Sequence, residues 1–173
     1  MASELTVQTI KGPTSGGNAN KIFIGSGQTL HAPGHVIQIQ KGFIGGDVTT
    51  TSSSPVATGL ECAITPKFAT SLLMVQLLGG RSYVAAGQQL DMSLYKDGSV
   101  VNTVGAGRWV SQYSLSNHHH GGHCAVHFET AGNTTARTYQ VYFDIGSGTG
   151  YFNDTPGGNS EYLVHLVVTE IAQ

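Results

Sequence analysis

The sequence predicts an all-β protein, a sandwich or barrel built from about eight to ten short strands. Three observations support this prediction. Apolar residues alternate with polar ones at a spacing of two along many segments, and Gly, Asn, Ser or Pro bounds nearly every segment, with 24 glycines in 173 residues. No segment carries apolar residues at the 3.6-residue spacing of a helix. A jelly roll is the commonest closed arrangement for strands of this number and length.

The composition favours one domain with few charges. A chain of 173 residues can build one core and is too short for two comfortable ones. Only 10% of the residues are charged and the formal net charge is -2, so no electrostatic footprint for nucleic acid or an anionic membrane is present. The first residues lack the basic start and apolar centre of a secretory signal, and no stretch reaches the roughly 18 apolar residues of a membrane span. We therefore expect synthesis in a cytoplasm, without nucleic-acid binding or membrane insertion.

Residues 1–34 are predicted to be an extended arm with a flexible linker. Leu5, Val7 and Ile10 alternate with polar residues, but three apolar side chains are too few to form a core of their own. The stretch 12–20 is rich in Gly, Ser and Asn, which is typical of a linker. We expect Leu5, Val7 and Ile10 to anchor the arm by adding to another surface, and the alternative is a frayed terminus.

Residues 35–173 are predicted to be the folded domain, in which strand and turn alternate. The run 72–78 is apolar except for Gln76, and we expect it to end at Gly79-Gly80 and to face the C-terminal strand across the core. Asp97-Gly98 supplies the positive φ angles of a tight hairpin, so the next residues should fold straight back. The glycines of 146–150 lie between two strands and indicate a turn rather than a phosphate-binding loop. The predicted strands are 36–40, 48–51, 56–64, 72–78, 90–95, 100–101, 109–110, 124–128, 138–143, 151–152 and 162–171.

The C-terminal segment 162–171 is the longest apolar run in the chain and is apolar on both faces of a strand. One row holds Tyr162, Val164, Leu166 and Val168, and the other, which is nearly as apolar, holds Leu163, His165, Val167, Thr169 and Ile171. A strand that is apolar on both faces is covered on both. We predict a central strand with the core on one side and a second sheet or a neighbouring subunit on the other. A histidine in such a run is more often a packed, hydrogen-bonded core group than a ligand.

Several short motifs are distributed along the whole chain. They lie at 5–17, 20–22, 27–36, 63–66, 94–95, 134–139 and 170–173. In this combination the chain resembles a family of small virion proteins of tailed phages, common in marine phages and phages of cyanobacteria. The resemblance implies a jelly roll similar to tumour-necrosis-factor-like folds, with three copies packed about a threefold axis. Together with the C-terminal run and the crowding of aromatic residues in the last third, it predicts that Leu163, His165, Val167, Tyr142 and Tyr151 lie in the trimer interface.

The segment 118–127 is rich in histidine and departs from the family pattern. Imidazole and thiolate are good zinc or copper ligands, which makes His123 and His127 the candidates beside Cys124. In a strand, however, the two histidines share one face and Cys124 points to the other, so we expect neither a metal site nor a cofactor. A ring of three histidines on a trimer axis, binding metal or responding to acid, is the alternative. Whether Cys62 and Cys124 pair stays open.

No catalytic pattern is present, so no enzyme is expected. None of Asp91, Asp144 and Glu170 has a second acidic residue at a fixed spacing, so the sequence does not indicate the carboxylate pair of a glycosidase. The expected function is a virion structural protein, a homotrimeric capsid decoration or cement protein whose arm binds the major capsid protein or another virion protein. The alternative is a tail-fibre or knob subunit whose loops 105–123 and 145–160 bind a glycan on the host surface. A carbohydrate-binding module or a cupin-like metal enzyme on the same fold forms a third class.

Overall fold

The computed structural model of the chain describes residues 8–17, 22, 24–101, 107–116, 118–153 and 163–173. The chain divides into two compact units, Met1–His31 and Ala32–Gln173. The described residues of the first unit form no strand or helix, and Ile10 is 65% exposed there. Leu5 and Val7, the other two predicted anchors, lie outside the described residues. The anchoring role of all three residues therefore stays a prediction.

The second unit is all-β, as predicted. Its described residues contain eleven strands and no helix, and thus no helix long and apolar enough to cross a membrane. The strands are β1 (Val36–Ile44), β2 (Val48–Thr50), β3 (Val56–Ile64), β4 (Leu72–Val84), β5 (Gln88–Lys96), β6 (Ser99–Val100), β7 (Val110–Ser114), β8 (His118–Thr130), β9 (Arg137–Ile145), β10 (Gly150–Phe152) and β11 (Val164–Ile171).

The strands form two antiparallel sheets, which is compatible with the predicted sandwich. In the first sheet, β4 pairs with β8 along one side, and on its other side with β11 and then with β10. Strand β1 lies outside β11, and β2 lies outside β10. In the second sheet, β9 lies between β3 and β5, and the far side of β5 is shared by β6 and β7. The C-terminal strand β11 is therefore central, as predicted.

The core lies between the sheets and is built from alternate residues of each strand. The predicted core on one side of β11 is confirmed, because Val164, Leu166 and Val168 have no exposed surface, and Tyr162 of the same row lies outside the described residues. The facing side chains of the second sheet come from β3, β5 and β9, and those of β5 and β9 have no exposed surface. The facing side chains of β5 and β9 are Leu90, Met92, Leu94, Tyr139, Val141, Phe143 and Ile145.

The two sheets are in close contact where β1 meets β3. A Cβ atom built on Gly42 would lie 1.6 Å from the carbonyl oxygen of Glu61, so no larger residue fits without separating the two strands. At the same end, the buried carboxylate of Glu170 holds the loop after β3. It accepts hydrogen bonds from the Gln38 side chain at 2.6 Å and from the backbone N–H groups of Lys67 and Phe68 at 2.8 and 3.1 Å. A single β11 side chain thereby closes this corner of the domain.

The predicted tight hairpin between β5 and β6 is confirmed, whereas the predicted end of β4 is wrong. Asp97 and Gly98 have φ angles of 50° and 79°, and Ser99–Val100 pairs back onto β5, as predicted. In contrast, β4 continues past Gly79-Gly80 to Val84, because β8 pairs with it on both sides of the two glycines. The run 72–78 also lies beside β11 in the same sheet, rather than across the core from it.

Candidate subunit interface

The outer face of the first sheet is formed by β1, β11, β4 and β8. Residues directly opposite each other in antiparallel strands point to the same side, so the register defines rows that run across the four strands. We call the three rows together the outer face. They are Phe43–His165–Leu78–Cys124, Lys41–Val167–Gln76–Val126 and Ile39–Thr169–Met74–Phe128.

The outer face is apolar and open to solvent. Ile39, Phe43, Val126 and Phe128 are between 49% and 61% exposed, although β-sheet residues of this type are usually covered. Leu163, which precedes β11, is 54% exposed. Lys41 is the one charged side chain among the described residues of the three rows, aside from the imidazole of His165. Contiguous exposed apolar area of this kind marks an interaction site.

The side of the second sheet that points away from the core carries mostly polar residues. Its cross-strand pairs are Asp91 with Asp144, Ser93 with Tyr142 and Tyr95 with Gln140. The rings of Tyr95 and Tyr142 stack with centroids 4.0 Å apart. These side chains carry polar groups, although Asp91 and Ser93 are each only 4% exposed, whereas most side chains of the three rows on the first sheet are apolar. The two faces of the sandwich are therefore chemically distinct.

The residues predicted for the interface do not all lie on one face. Leu163, His165 and Val167 lie on or beside the outer face of the first sheet. Tyr151 lies on β10, which pairs with the C-terminal half of β4. Its ring contacts that of Tyr83 edge to face, with the ring centroids 5.5 Å apart. Tyr142 lies on the second sheet, across the sandwich from His165, so one flat contact does not hold both residues, and the interface role of all five residues stays a prediction. Aromatic crowding in the sequence does not reveal which sheet a residue joins.

His165 is a half-buried residue of the outer face rather than a core group. It lies directly opposite Phe43 on β1 and Leu78 on β4, and its ring centroid is 6.0 Å from that of Phe43. The core on the other side of β11 is filled by Leu166 and its neighbours. The expectation of a packed core histidine is therefore wrong for the isolated chain.

His123 and His127 of β8 face inward. His123 is 6% exposed, its Nδ1 lies 3.2 Å from the Gln112 side chain, and its ring lies parallel to Phe152 at 6.4 Å. Cys124 is exposed on the opposite side, as the strand pattern predicts. The segment 118–123 is strand rather than loop. Since His123 and His127 point into their own subunit, the outer face brings neither of them to a symmetry mate.

A partly buried ionic cluster connects β8 to the second sheet. The Glu129 carboxylate lies 2.6 Å from Lys96 Nζ and 3.9 Å from Arg137, and it accepts a hydrogen bond from the Tyr139 hydroxyl. Burial works to raise the pKa of Glu129, but the hydrogen bonds from Lys96 and Tyr139 lower it overall. Burial lowers the pKa of His127, with Glu129 acting against this and Lys96 adding to it. These groups pin β8 to β5 and β9.

Sequence reasoning missed the neighbouring carboxylates of Asp91 and Asp144. They are 53 positions apart in the chain, yet they oppose each other in the β5–β9 pair. Arg108 Nε lies 2.7 Å from Asp91, and the Gln89 amide donates to the same carboxylate at 3.0 Å. Burial raises the pKa of Asp144, and the charge of Asp91 raises it further. Only the register of the two strands reveals the pair, and a single sequence gives no signal for that register.

The two cysteines are not bonded to each other. Cys62 lies in the core, where burial raises the pKa of its thiol, and Cys124 is on the outer face. Among the described residues, no group of three or more His, Cys, Asp or Glu side chains is arranged to hold a metal ion. Comparison of the sequence with models of known protein families found no match, and neither did comparison with curated proteins.

Proposed function

We propose that this chain is a non-enzymatic structural protein of a phage virion, a jelly-roll homotrimer that decorates or cements the capsid through its N-terminal arm. The observation that carries the proposal is the apolar outer face of the first sheet on a sandwich whose other outer face is polar. A protein whose role is assembly needs such a surface, and it needs no catalytic centre. The partners are two further copies of the chain and the major capsid protein or another virion protein.

The pairing of the long strands supports the jelly roll. The antiparallel pairs β1·β11, β3·β9, β4·β8 and β5·β7 are nested in sequence like the two arms of one long hairpin. Successive pairs alternate between the first and the second sheet. Rolling a long hairpin in this way gives two Greek keys, which is the jelly-roll arrangement. The short strands β2, β6 and β10 extend the two sheets without changing the nesting.

The size of the outer face supports association with further copies. Four strands about 4.8 Å apart and three rows about 7 Å apart give a face with a total area on the order of 400 Å², and eight of its twelve residues are apolar. The largest apolar patches on monomers measure about 300–600 Å² and are often functional. The total area of the outer face is also about half of the roughly 800 Å² that each partner contributes to a standard interface. The outer face therefore fits the apolar centre of a subunit contact with a polar rim.

The motif resemblance supports the virion location, and the exposed apolar residues of the first unit support the arm. Ile10, Ile22, Ile24 and Leu30 are all 46% exposed or more, in a segment rich in glycine and serine. An alternating segment of this kind binds by strand addition or by packing in a groove. Three arms on one trimer multiply a weak single contact through their effective concentration.

Deletion of residues 2–20 tests the anchoring step. We expect the truncated protein to remain a trimer in sedimentation velocity and to be lost from purified particles, while the full chain in the same preparation is incorporated. Incorporation of the truncated protein at the full-chain level would contradict the anchoring role. Glycan binding by the trimer, with incorporation independent of the arm, would favour the tail-fibre alternative.

A further inference from the structure

His165 is the titratable side chain at the centre of the outer face. It lies on β11, with Phe43 opposite it on β1, Leu78 opposite it on β4, and Cys124 one strand further on. The residues before and after it on the same side of the strand are Leu163 and Val167. The imidazole is thus surrounded by apolar side chains and is half-buried before any partner binds.

The charged groups around His165 offer no compensation for a positive charge. Strand β1 contributes Lys41 in the adjacent row, opposite Val167. Strand β4 contributes the neutral Gln76, and β8 contributes the thiol of Cys124. The described residues of the three rows include no carboxylate, because Glu129 and Glu170 point into the domain. A protonated His165 would therefore add to the positive charge of Lys41.

Covering the outer face with another copy raises the free energy needed to protonate His165. In a free copy, water still reaches the half-buried imidazole and can solvate an imidazolium. When another copy covers the face, that water is removed, and a buried cation without a paired anion is strongly disfavoured. In a trimer the effect is present three times, since every copy carries one His165 and one Lys41. Histidine titrates between about pH 5 and 8, so the change falls in an accessible range.

Resting on the homotrimer of the proposed function, we propose that His165 makes the subunit contact acid-sensitive. The copies associate while the imidazole is neutral, and protonation of His165 separates them without unfolding the sandwich. Protonation and deprotonation then break and restore the contact between copies. Strand β11 supplies part of the apolar surface and also His165, whose protonation weakens the contact.

Sedimentation velocity of the full chain at about pH 8 and about pH 5 tests this proposal, with circular dichroism to monitor the fold. If each histidine must be neutral for association, the trimer weakens by about tenfold per pH unit for each His165, below the titration range. His165→Gln should remain trimeric at both pH values. The control His35→Gln, at an exposed histidine before β1, should keep the acid response of the original protein.

The possible results separate this inference from the proposed function. A trimer equally stable at both pH values, or acid dissociation of His165→Gln to the same extent as the original protein, would overturn the role of His165 and leave the trimer in place. A monomer at every pH would overturn the trimer itself. Acid dissociation that is abolished in His165→Gln and retained in His35→Gln is the result we expect.

Discussion

Replacing Phe43 by serine tests directly whether the outer face is a subunit contact. Phe43 is 61% exposed in the single chain, so its loss should leave the core and the fold intact. With roughly 200 Å² for a whole phenylalanine, roughly 120 Å² of it is available to a partner. At about 25 cal/mol per Å², covering that area contributes about 3 kcal/mol per copy, or about 9 kcal/mol per trimer. The protein concentration at half-dissociation should then rise by roughly a thousandfold.

Sedimentation velocity over a dilution series measures this shift, and the chain offers a matched control. Tyr113 is 58% exposed on β7, at the edge of the second sheet, so Tyr113→Ser removes an aromatic ring of similar exposure from the other side of the sandwich. We expect this control to associate like the original protein. If Phe43→Ser also associates unchanged, Phe43 is not covered in the assembly. If Tyr113→Ser dissociates instead, the contact lies on the second sheet.

Two further predictions concern the corner where β1 meets β3. Gly42→Ala should destabilise the domain by about 3 kcal/mol in chemical denaturation, because the added methyl group overlaps the Glu61 carbonyl, while Gly46→Ala, with open space around it, should change little. Glu170→Gln should cost about 2–3 kcal/mol at neutral pH through weaker hydrogen bonds to the loop after β3, and an equally stable variant would contradict that role. Burial works to raise the pKa of Glu170, but hydrogen bonds from Gln38 and the loop lower it overall, so its contribution is present above about pH 4.5 and is lost as the pH falls. The unfolding free energy of the original protein should therefore fall more steeply below that pH than that of Glu170→Gln.

Those parts of the fold that depend on local chemistry could be predicted from the sequence. The bounds of β3, Val56–Ile64, follow from alternation between turn residues, and the Asp97-Gly98 hairpin follows from the positive φ angles it requires. The two rows of β11 follow from a period of two, since the alternation of a strand fixes which residues share a face. In each case, residues within a few positions of one another carry the information.

The parts that depend on long-range register could not be predicted. Gly79 and Gly80 look like a strand end because they weaken a strand locally, but pairing with β8 on both sides carries β4 through them. Tyr142 and His165 are both in the aromatic last third, yet β9 and β11 join different sheets. Which strands pair is decided by how the whole chain closes, and no short segment records it.

The outer row of β11 shows where sequence and structure complement each other. The sequence indicates that both faces of the segment should be buried, but it does not identify the residues that bury each face. In the structure the inner row is buried in the core between the sheets, with β3 of the second sheet beside it, while Leu163 remains 54% exposed and the described residues of the chain leave His165 and Val167 only half-buried. The described residues of the chain therefore do not cover the outer row. The proposed function assigns that cover to further copies of the chain, and the exposure of Phe43 and Leu163 in a single copy supports this assignment.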